Sequence, residues 1–435
     1  MELVSMGLGF AGGAAAAQGL AHLREHRVEP TGLADLLGWG FLVADGVVVQ
    51  KDGSLVAGFA YAGPDVGAAT TADLDALTRH VNEALLPFAD DWMFHVDAIR
   101  RPAAAYPAGD FPDPLSQCID EERRAAYRLT ESCQFETSYT LIATFLPAPE
   151  LFSRLTTWFL QGGGRVGVDW DRVLTGYETA LHGLERRLAS RLRLDRLDSD
   201  ALVTHLHECL TGAPHPVHAP PHGAYLNVVL ADQELIGGFE PRIGDRHIRA
   251  VAVHGYPHAS HAGALDVLNA LPYAFRWSSR ILPLAQVTAA RVIRRYQLMW
   301  YKKRKGAAAW FQELAGGGKR DQGAAAGDAD LFLDHDARHM AQDASAAVAE
   351  NASGLVRFCY FNQVIVVSER DPGRADAVAA ELLKTIHDAG YTGRVEGVNA
   401  LEAYPTPAPC EIHWPRQPES IQHLAPQAPT SRWRR

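Results

Sequence analysis

Nucleotide binding is the first chemistry to test against the residue spacing. A phosphate-binding loop needs Gly, four residues, then Gly-Lys and a Ser or Thr that holds magnesium. The nearest string is Gly316–Arg320, which lacks the first Gly and has Arg in place of the hydroxyl residue. Leu331–Asp334 resembles an apolar strand that ends in an acid, but it lies in a predicted helical region. The sequence therefore predicts a flexible loop at Gly316–Arg320 and no nucleotide site.

Metal binding and nucleophilic catalysis are the next possibilities. The candidate histidines are His205 and His207; His215, His218 and His222; His254, His258 and His261; and His335 and His339. Zinc needs three or four converging ligands, and no group has the HExxH spacing. Clusters are expected by chance among 19 histidines. The five cysteines include no CxxC pair, which favours a reducing compartment. The sequence also has no GxSxG string of a serine nucleophile. It therefore predicts no catalytic, metal or cofactor site. A histidine metalloenzyme stays open as the least favoured of three functional hypotheses.

A basic helix is the strongest local feature. Apolar residues from Ala289 to Trp300 recur at three- and four-residue steps, which predicts a helix over Gln286–Lys305. Basic residues at its end complement the negative end of a helix. A solvated, charged helix end would have the same pattern. We single out eight residues as a candidate partner surface: Arg291, Arg294, Arg295, Trp300, Lys302, Lys303, Arg304 and Lys305.

The bulk composition limits the classes of function. The 435 residues are enough for two or three domains with real cores. The formal net charge is -10, so the chain as a whole is not a nucleic-acid-binding polycation. A nucleic-acid role would need a local patch, either the helix 291–305 or the segment 186–196.

The first half of the chain predicts an N-terminal α/β region over residues 30–212. Gly40–Gln50 and Leu55–Tyr61 are predicted strands of a hairpin that turns at Asp52-Gly53. Two more strands are predicted at Trp92–Ile99 and Glu136–Leu146. Helices are predicted over 71–86, 116–128, 149–161, 168–194 and 199–210. The Pro- and His-rich loop that follows residue 211 marks the main internal boundary.

The second half, residues 222–404, predicts a ferredoxin-like domain. Strands are predicted at 247–254, 274–282, 356–367 and 394–398, and helices at 263–271, 286–305 and 371–389. A helical insertion occupies about 285–353. Without that insertion the order is βαββαβ, which is the ferredoxin-like order. The overall fold class is therefore α+β, with strand 274–282 at a central position in its sheet.

The two ends of the chain differ from the rest. Residues 1–27 are a membrane anchor or a disordered start, since Leu3–Leu23 is apolar but dominated by Ala and Gly. Arg24 and Arg27 would leave the rest of the chain in the cytoplasm. Residues 405–435 are rich in Pro and lack any period, which predicts a disordered tail.

Several strings, in order along the chain, resemble one protein family. They are GLADLLGWGFLVADGVVVQKDGSLVAGFAYAGPD, FPDPLSQCIDEERRAAY, LIGGFEPRIGDRHIRAVAVHGYP, LNALPYAFRWSSRILPL, WYKKRKG and VEGVNALEAY. Together they are similar to TrbE-type conjugal transfer proteins, in the CagE/TrbE/VirB family of type IV secretion ATPases. The resemblance covers about Pro30 to Tyr404 and corresponds to the N-terminal half of such a protein.

The resemblance carries expectations about activity and partners. Family members bind ATP and magnesium through a RecA-like motor domain, and its Walker motifs have no matching positions here. The resemblance implies a place at the cytoplasmic face of the inner membrane, peripheral or anchored through the N-terminus. It also implies contacts with other channel components, and self-association.

We therefore expect a truncated product, from a frameshift or a premature stop, that takes part in plasmid transfer. It would act in channel assembly and docking at the inner membrane for DNA or protein transfer, without ATP hydrolysis of its own. The alternative is a nucleic-acid-binding accessory protein that uses the basic helix 291–305. The particular channel component, and whether DNA is a partner, stay open at this point.

Overall fold

The computed structural model describes residues 32–64, 69–107, 109–130, 134–147, 170–221, 223–238, 240–257, 263–304 and 335–397. The strands within these ranges are β1 Trp39–Ala44, β2 Val47–Gln50, β3 Leu55–Ala62, β4 Trp92–Pro102, β5 Phe135–Phe145, β6 Arg193–Arg196, β7 Leu235–Ile236, β8 Arg242–Ile243, β9 Arg246–Gly255, β10 Phe275–Pro283, β11 Cys359–Glu369 and β12 Thr392–Val395. The helices are α1 Leu33–Leu36, α2 Thr71–Leu85, α3 Pro114–Thr130, α4 Trp170–Leu188, α5 Ser199–Thr211, α6 Leu226–Val229, α7 Gln286–Arg304, α8 His335–Ser353 and α9 Pro372–Asp388, with a 3-10 turn at Asp266–Ala270.

All the described strands join one antiparallel sheet, which confirms the α+β class. Its order is β1-β2-β3-β5-β4-β10-β11-β9-β8-β7, with β6 beside β3 and β12 beside β9. The two halves of the chain meet where β4 pairs with β10, from Phe94 opposite Ile281 to Arg100 opposite Phe275. We call this pairing the seam. β11 flanks β10 on its other side. β10 is therefore an interior strand of the whole sheet, but only because β4 of the first half pairs with it; among the strands of the second half it lies at the edge, which differs from the predicted central position.

Helices cover both faces of the sheet. On one face, α2 and α4 pack against the first half of the sheet, and α9 packs against the second half. On the opposite face, α5 and the segment around α6 cover the middle. The apolar residues of α5 that reach this core are spaced at helical intervals: Leu202, Val203, Leu206 and Leu210. Burial of each such side chain stabilises the fold by roughly 1.5–3 kcal/mol.

Most predicted elements are present in the structure within a few residues, but three predictions were wrong. Gly40–Gln50 is two strands, since the chain turns at Gly46 with a φ of 62°. The predicted helix 168–194 ends at Leu188, and Arg193–Arg196 instead pairs with β3. The predicted helix 263–271 is only a 3-10 turn. A smaller difference is that α9 ends at Asp388 and β12 begins at Thr392, slightly ahead of the predicted strand. The short elements α1, α6, β7 and β8 were not predicted.

Several predictions fall on residues outside the described ranges. They concern the N-terminal segment 1–27, the helix 149–161, the loop Gly316–Arg320, Leu331–Asp334 and the tail 405–435. Within the described residues, no helix combines the length and the apolar character needed to cross a bilayer.

Candidate functional site

Helix α5 is fixed over the seam by its two ends. Asp198 accepts a hydrogen bond from the Ala201 N–H at 2.8 Å and so caps the N-terminus. Ser199 donates to Asp45 in the β1–β2 turn at 2.7 Å. Gly212 ends the helix in the left-handed conformation, with a φ of 67°. The polar side chains of α5 are therefore held in a defined position above β4.

Three buried side chains meet beneath α5, and we call them the Asp–His–Cys cluster: Asp97, His205 and Cys209. His205 Nε2 lies 3.3 Å from Asp97 Oδ2 and 3.5 Å from Cys209 Sγ. All three ligand atoms lie within 4.8 Å of one another. Asp97 is fully buried. Its partner in register across the seam is Ser278, which is also buried.

The charges of the cluster are coupled. Burial opposes the charged form of His205, but the Cys209 sulfur and the Asp97 carboxylate outweigh it and raise the pKa of His205 to about 10. Burial also opposes ionisation of Asp97. His205 and Arg276 outweigh that effect and hold the pKa of Asp97 below its usual value. Both shifts favour an imidazolium next to a carboxylate when no other cation is bound.

The arrangement differs from that of a nucleophilic triad. In a triad the carboxylate holds one nitrogen of the imidazole, and the other nitrogen takes the proton of the nucleophile. Here the same nitrogen of His205 faces both Asp97 and Cys209. The cluster therefore has the geometry of ligands that converge on a point, and proton relay through the ring is not supported.

A second buried polar contact joins α5 to β4. Glu208 accepts two hydrogen bonds from the Arg101 guanidinium, through Nε and through one terminal nitrogen, each at 2.5 Å. The Glu208 side chain is 7% exposed and that of Arg101 is 29% exposed. This forked ion pair and the Asp–His–Cys cluster together attach α5 to the first strand of the seam.

The predicted basic surface lies on a helical hairpin, α7 and α8, between β10 and β11. Arg291, Arg294 and Arg295 are exposed on α7. Trp300, Lys302, Lys303 and Arg304 fall in the last turns of α7, where the structure describes the helix but not the side chains. Lys305 lies outside the described residues. The structure therefore brings together the three arginines and leaves the other five predictions untested.

The base of the hairpin is firmly attached to the sheet. Asp90 accepts hydrogen bonds from the Ala285 N–H and the Thr288 hydroxyl, both at 2.7 Å, at the start of α7. Gln286 and Asn351 each donate to the other's backbone carbonyl at 2.8 Å. The inner face of the hairpin forms a small core around Leu284, Ala289 and Phe358.

A groove of about 600 Å³ runs between the outer sides of α7 and α8. Its walls combine apolar and basic side chains, with no acidic residue: Gln286, Val287, Ala290, Arg291, Arg294, Arg295, Leu298, Val348, Asn351 and Ala352. Val287 and Leu298 are 72% and 60% exposed. None of the three arginines makes an ion pair with another residue that the structure describes.

Among the described residues, the candidate histidines of the sequence do not converge on one point, although the ring of His215 lies 5.7 Å from that of His207. His205 and His207 point apart on α5, since His207 lies 3.2 Å from Asp232. His218 contacts Asp200, and His254 contacts Glu396. The side chains of His222, His258, His261, His335 and His339 are not described. Sequence analysis missed Asp97 and Cys209, although the i, i+4 spacing of His205 and Cys209 on a predicted helix was an available signal.

Two regions of the chain match models of known protein families. Residues 46–151 match the family model "Type IV secretion system ATPase VirB4/TrbE, N-terminal domain". Residues 328–417 match the model "CagE, TrbE, VirB family, component of type IV transporter system". The chain thus contains two regions typical of type IV secretion components.

Individual relatives agree. The chain is 31% identical over 400 residues to the conjugal transfer protein TrbE of Rhizobium radiobacter, a match that covers 88% of this chain and 47% of that protein. Sinorhizobium fredii has two separate chains that are each named as a portion of a probable conjugal transfer protein TrbE. The chain is 40% identical over 129 residues to the first of them, covering 29% of this chain and 86% of the relative. It is 27% identical over 242 residues to the second, with 52% of this chain and 34% of the relative covered.

The chain belongs to the TrbE/VirB4 family of type IV secretion and conjugal transfer proteins. It spans about half the length of the Rhizobium relative. The family predicted from the ordered sequence strings is therefore confirmed.

Proposed function

We propose that this chain is a docking and assembly region of a conjugation channel, which binds an acidic, amphipathic segment of another channel component in the α7–α8 groove. It works at the cytoplasmic face of the inner membrane, in a system that transfers DNA or protein. It hydrolyses no ATP through the residues present here.

One observation carries the proposal: three exposed arginines line an apolar groove and have no carboxylate partner among the described residues. Arginines packed within a protein surface commonly pair with acids of their own chain. Here the groove offers Val287 and Leu298 for an apolar face, and Arg291, Arg294 and Arg295 for charges along its edge. A helix with apolar residues on one face and acidic residues beside it is complementary to that lining.

The order of the strands indicates that the α7–α8 hairpin is an insertion within a smaller unit of strands and helices. In the second half, β12, β9, β11 and β10 lie in the spatial order 4-1-3-2 of a ferredoxin-like unit. In the first half, β6, β3, β5 and β4 follow the same order. We interpret the chain as two such units joined at the seam, with a helical insertion in each, between its second and third strands. The insertions, α3 and the α7–α8 hairpin, leave opposite ends of the seam.

Charge reversal in the groove tests the docking. The triple variant Arg291→Glu, Arg294→Glu, Arg295→Glu should lose capture of the other channel components from the same transfer system, measured by co-purification and then by titration with the captured component. The matched control reverses three exposed arginines elsewhere, Arg123, Arg128 and Arg186, and should keep binding. Equal binding by the two triple variants would refute the groove as the docking site.

Two further measurements separate the alternatives. Binding of DNA that falls steeply with salt and vanishes in the groove variant, without capture of any channel protein, would favour the nucleic-acid accessory role. Tight, magnesium-dependent ATP binding by the purified chain would contradict the proposal that the residues present here contain no nucleotide-binding motor. Neither readout depends on the identity of the channel component.

A further inference from the structure

We propose that the Asp–His–Cys cluster beneath α5 is a structural site for a transition-metal ion, with zinc as the expected occupant. The ligands would be Asp97 Oδ, His205 Nε2 and Cys209 Sγ. This inference does not depend on the docking role of the α7–α8 groove.

The two distances from the His205 nitrogen to the other two ligand atoms fit a tetrahedral ion. Zinc lies about 2.0–2.1 Å from imidazole nitrogen and carboxylate oxygen and about 2.3 Å from thiolate sulfur. Tetrahedral angles then place nitrogen about 3.3 Å from oxygen and about 3.5 Å from sulfur. His205 Nε2 lies 3.3 Å from Asp97 Oδ2 and 3.5 Å from Cys209 Sγ. A single nitrogen that lies close to both the Asp97 oxygen and the Cys209 sulfur is the arrangement expected when all three atoms bind one ion.

A second observation points to a missing ligand. Asp97 is fully buried, and neither of its carboxylate oxygens accepts a well-aligned hydrogen bond from a described residue. The Ser278 hydroxyl, opposite Asp97 in the seam, is close enough to help lower the pKa of Asp97, but it forms no hydrogen bond of good geometry with a described residue. A buried carboxylate without aligned hydrogen bonds lowers the free energy of unfolding of the protein. A bound cation would satisfy it, and a water on that cation could reach Ser278.

The set of donors selects the metal. Calcium and magnesium take oxygen ligands, whereas one sulfur, one nitrogen and one oxygen suit zinc and its chemical neighbours. Three protein ligands leave a fourth position, for water or the Ser278 hydroxyl. Binding requires a neutral imidazole and a thiolate, so His205 and Cys209 release protons as the ion enters.

The position of the site gives the ion a structural role. His205 and Cys209 belong to α5, which follows the first half of the sheet, and Asp97 belongs to β4 at the seam. An ion there would attach α5 directly above the line where the two halves of the sheet meet. Because all three residues are buried, the ion would enter as the chain folds.

The competing state is the metal-free ion pair of His205 and Asp97, with Arg276 contributing positive charge nearby. Metal analysis separates the two. The full chain, purified without a histidine tag and with its thiols reduced, should carry one zinc per chain. With cobalt in place of zinc, it should show the sulfur-to-cobalt charge-transfer absorption that only a thiolate ligand produces. Less than stoichiometric zinc together with no such absorption would overturn the proposal.

Substitutions assign the ligands. Cys209→Ser should abolish the charge-transfer absorption, and Asp97→Asn and His205→Gln should abolish stoichiometric zinc. The matched controls are Cys118→Ser, at an exposed cysteine, and His218→Gln, at an exposed histidine; both should keep one zinc per chain. Zinc retained by Cys209→Ser would overturn the site. If a variant fails to fold, the wild-type cobalt spectrum still decides, since it needs no substitution.

Discussion

At the residue scale, the forked ion pair between Arg101 and Glu208 joins α5 to β4. The Glu208 carboxylate is nearly enclosed, so it depends on the guanidinium for its hydrogen bonds. We expect Arg101→Ala to lower the free energy of unfolding by about 3 kcal/mol, because a buried charge is left unpaired. Denaturant titration measures this loss.

The control for that variant is Arg193→Ala. Arg193 also pairs with a carboxylate, Asp195, but both side chains are mostly exposed, at 78% and 59%. Exposed pairs contribute no more than about 1 kcal/mol. If both variants were equally stable, the Arg101–Glu208 pair would have no special role in attaching α5.

The same scale shows why the cluster was missed in the sequence. His205 and Cys209 lie four residues apart, and a helix places such residues on one face. The histidine that seemed paired with His205 was His207, but two residues turn a helix by more than half a circle, so it reaches Asp232 instead. Asp97 comes from a distant strand. No local pattern could predict its approach, because it depends on how α5 crosses the sheet.

At the element scale, the turn between β1 and β2 holds the start of α5. Gly46 has a φ of 62°, and its N–H donates to the Ser199 hydroxyl at 3.0 Å. A Cβ added at Gly46 would meet the Leu197 carbonyl oxygen. We expect Gly46→Ala to cost about 1–2 kcal/mol for the left-handed backbone and about 1–3 kcal/mol more for the overlap.

Gly354 offers a matched comparison. It has a similar φ of 69°, and an added Cβ would meet no atom within 4 Å. Gly354→Ala should therefore show the backbone cost alone. Thermal unfolding of the two variants separates the terms, and equal losses would contradict a close approach of the turn to α5.

Elements with a strong local signal could be predicted from sequence. Asp198 and Asp371 are the N-caps of α5 and α9, and the side chain of each accepts a backbone hydrogen bond. The division of Gly40–Gln50 into two strands was missed, although Asp45-Gly46 is a hairpin turn pair. The apolar residues on both sides of this pair made the segment look like one strand. The short strand β6 was also missed, because three of its four residues are charged and its position depends on pairing with β3.

The α2 helix gives a further test at this scale. Thr70 and Asp73 form a capping box, in which the Thr70 hydroxyl accepts from the Asp73 N–H and the Asp73 carboxylate accepts from the Thr70 N–H. Thr70→Ala should lower the free energy of unfolding by about 1 kcal/mol. Thr70→Ser keeps both bonds and should be close to neutral. A neutral Thr70→Ala would mean that the exposed end of α2 contributes little to stability.

At the scale of the whole molecule, the seam makes one sheet from two halves of the chain. The pairing of β4 with β10 joins residues far apart in sequence, and neither strand has a local feature that selects the other. The sequence therefore predicted an internal boundary after residue 211 but not the continuity of the sheet across it. The succession of strands and helices along the second half could be predicted, because most of these elements have a local pattern of their own.

Continuity of the sheet leads to a prediction about cooperativity. Each strand of the seam has partners on both sides, β5 and β10 for β4, and β4 and β11 for β10. Opening the seam would expose the cores on both faces, so its amides should exchange with solvent only on global unfolding. Amides of the short strands β7 and β8, at the end of the sheet, should exchange much faster. Hydrogen exchange read by mass spectrometry provides the measurement.

Seam amides that exchange before those inside β3 or β9 would mean that the two halves separate first and behave as independent domains. Seam and core amides that exchange together would mean that the two halves of the sheet unfold as one cooperative unit.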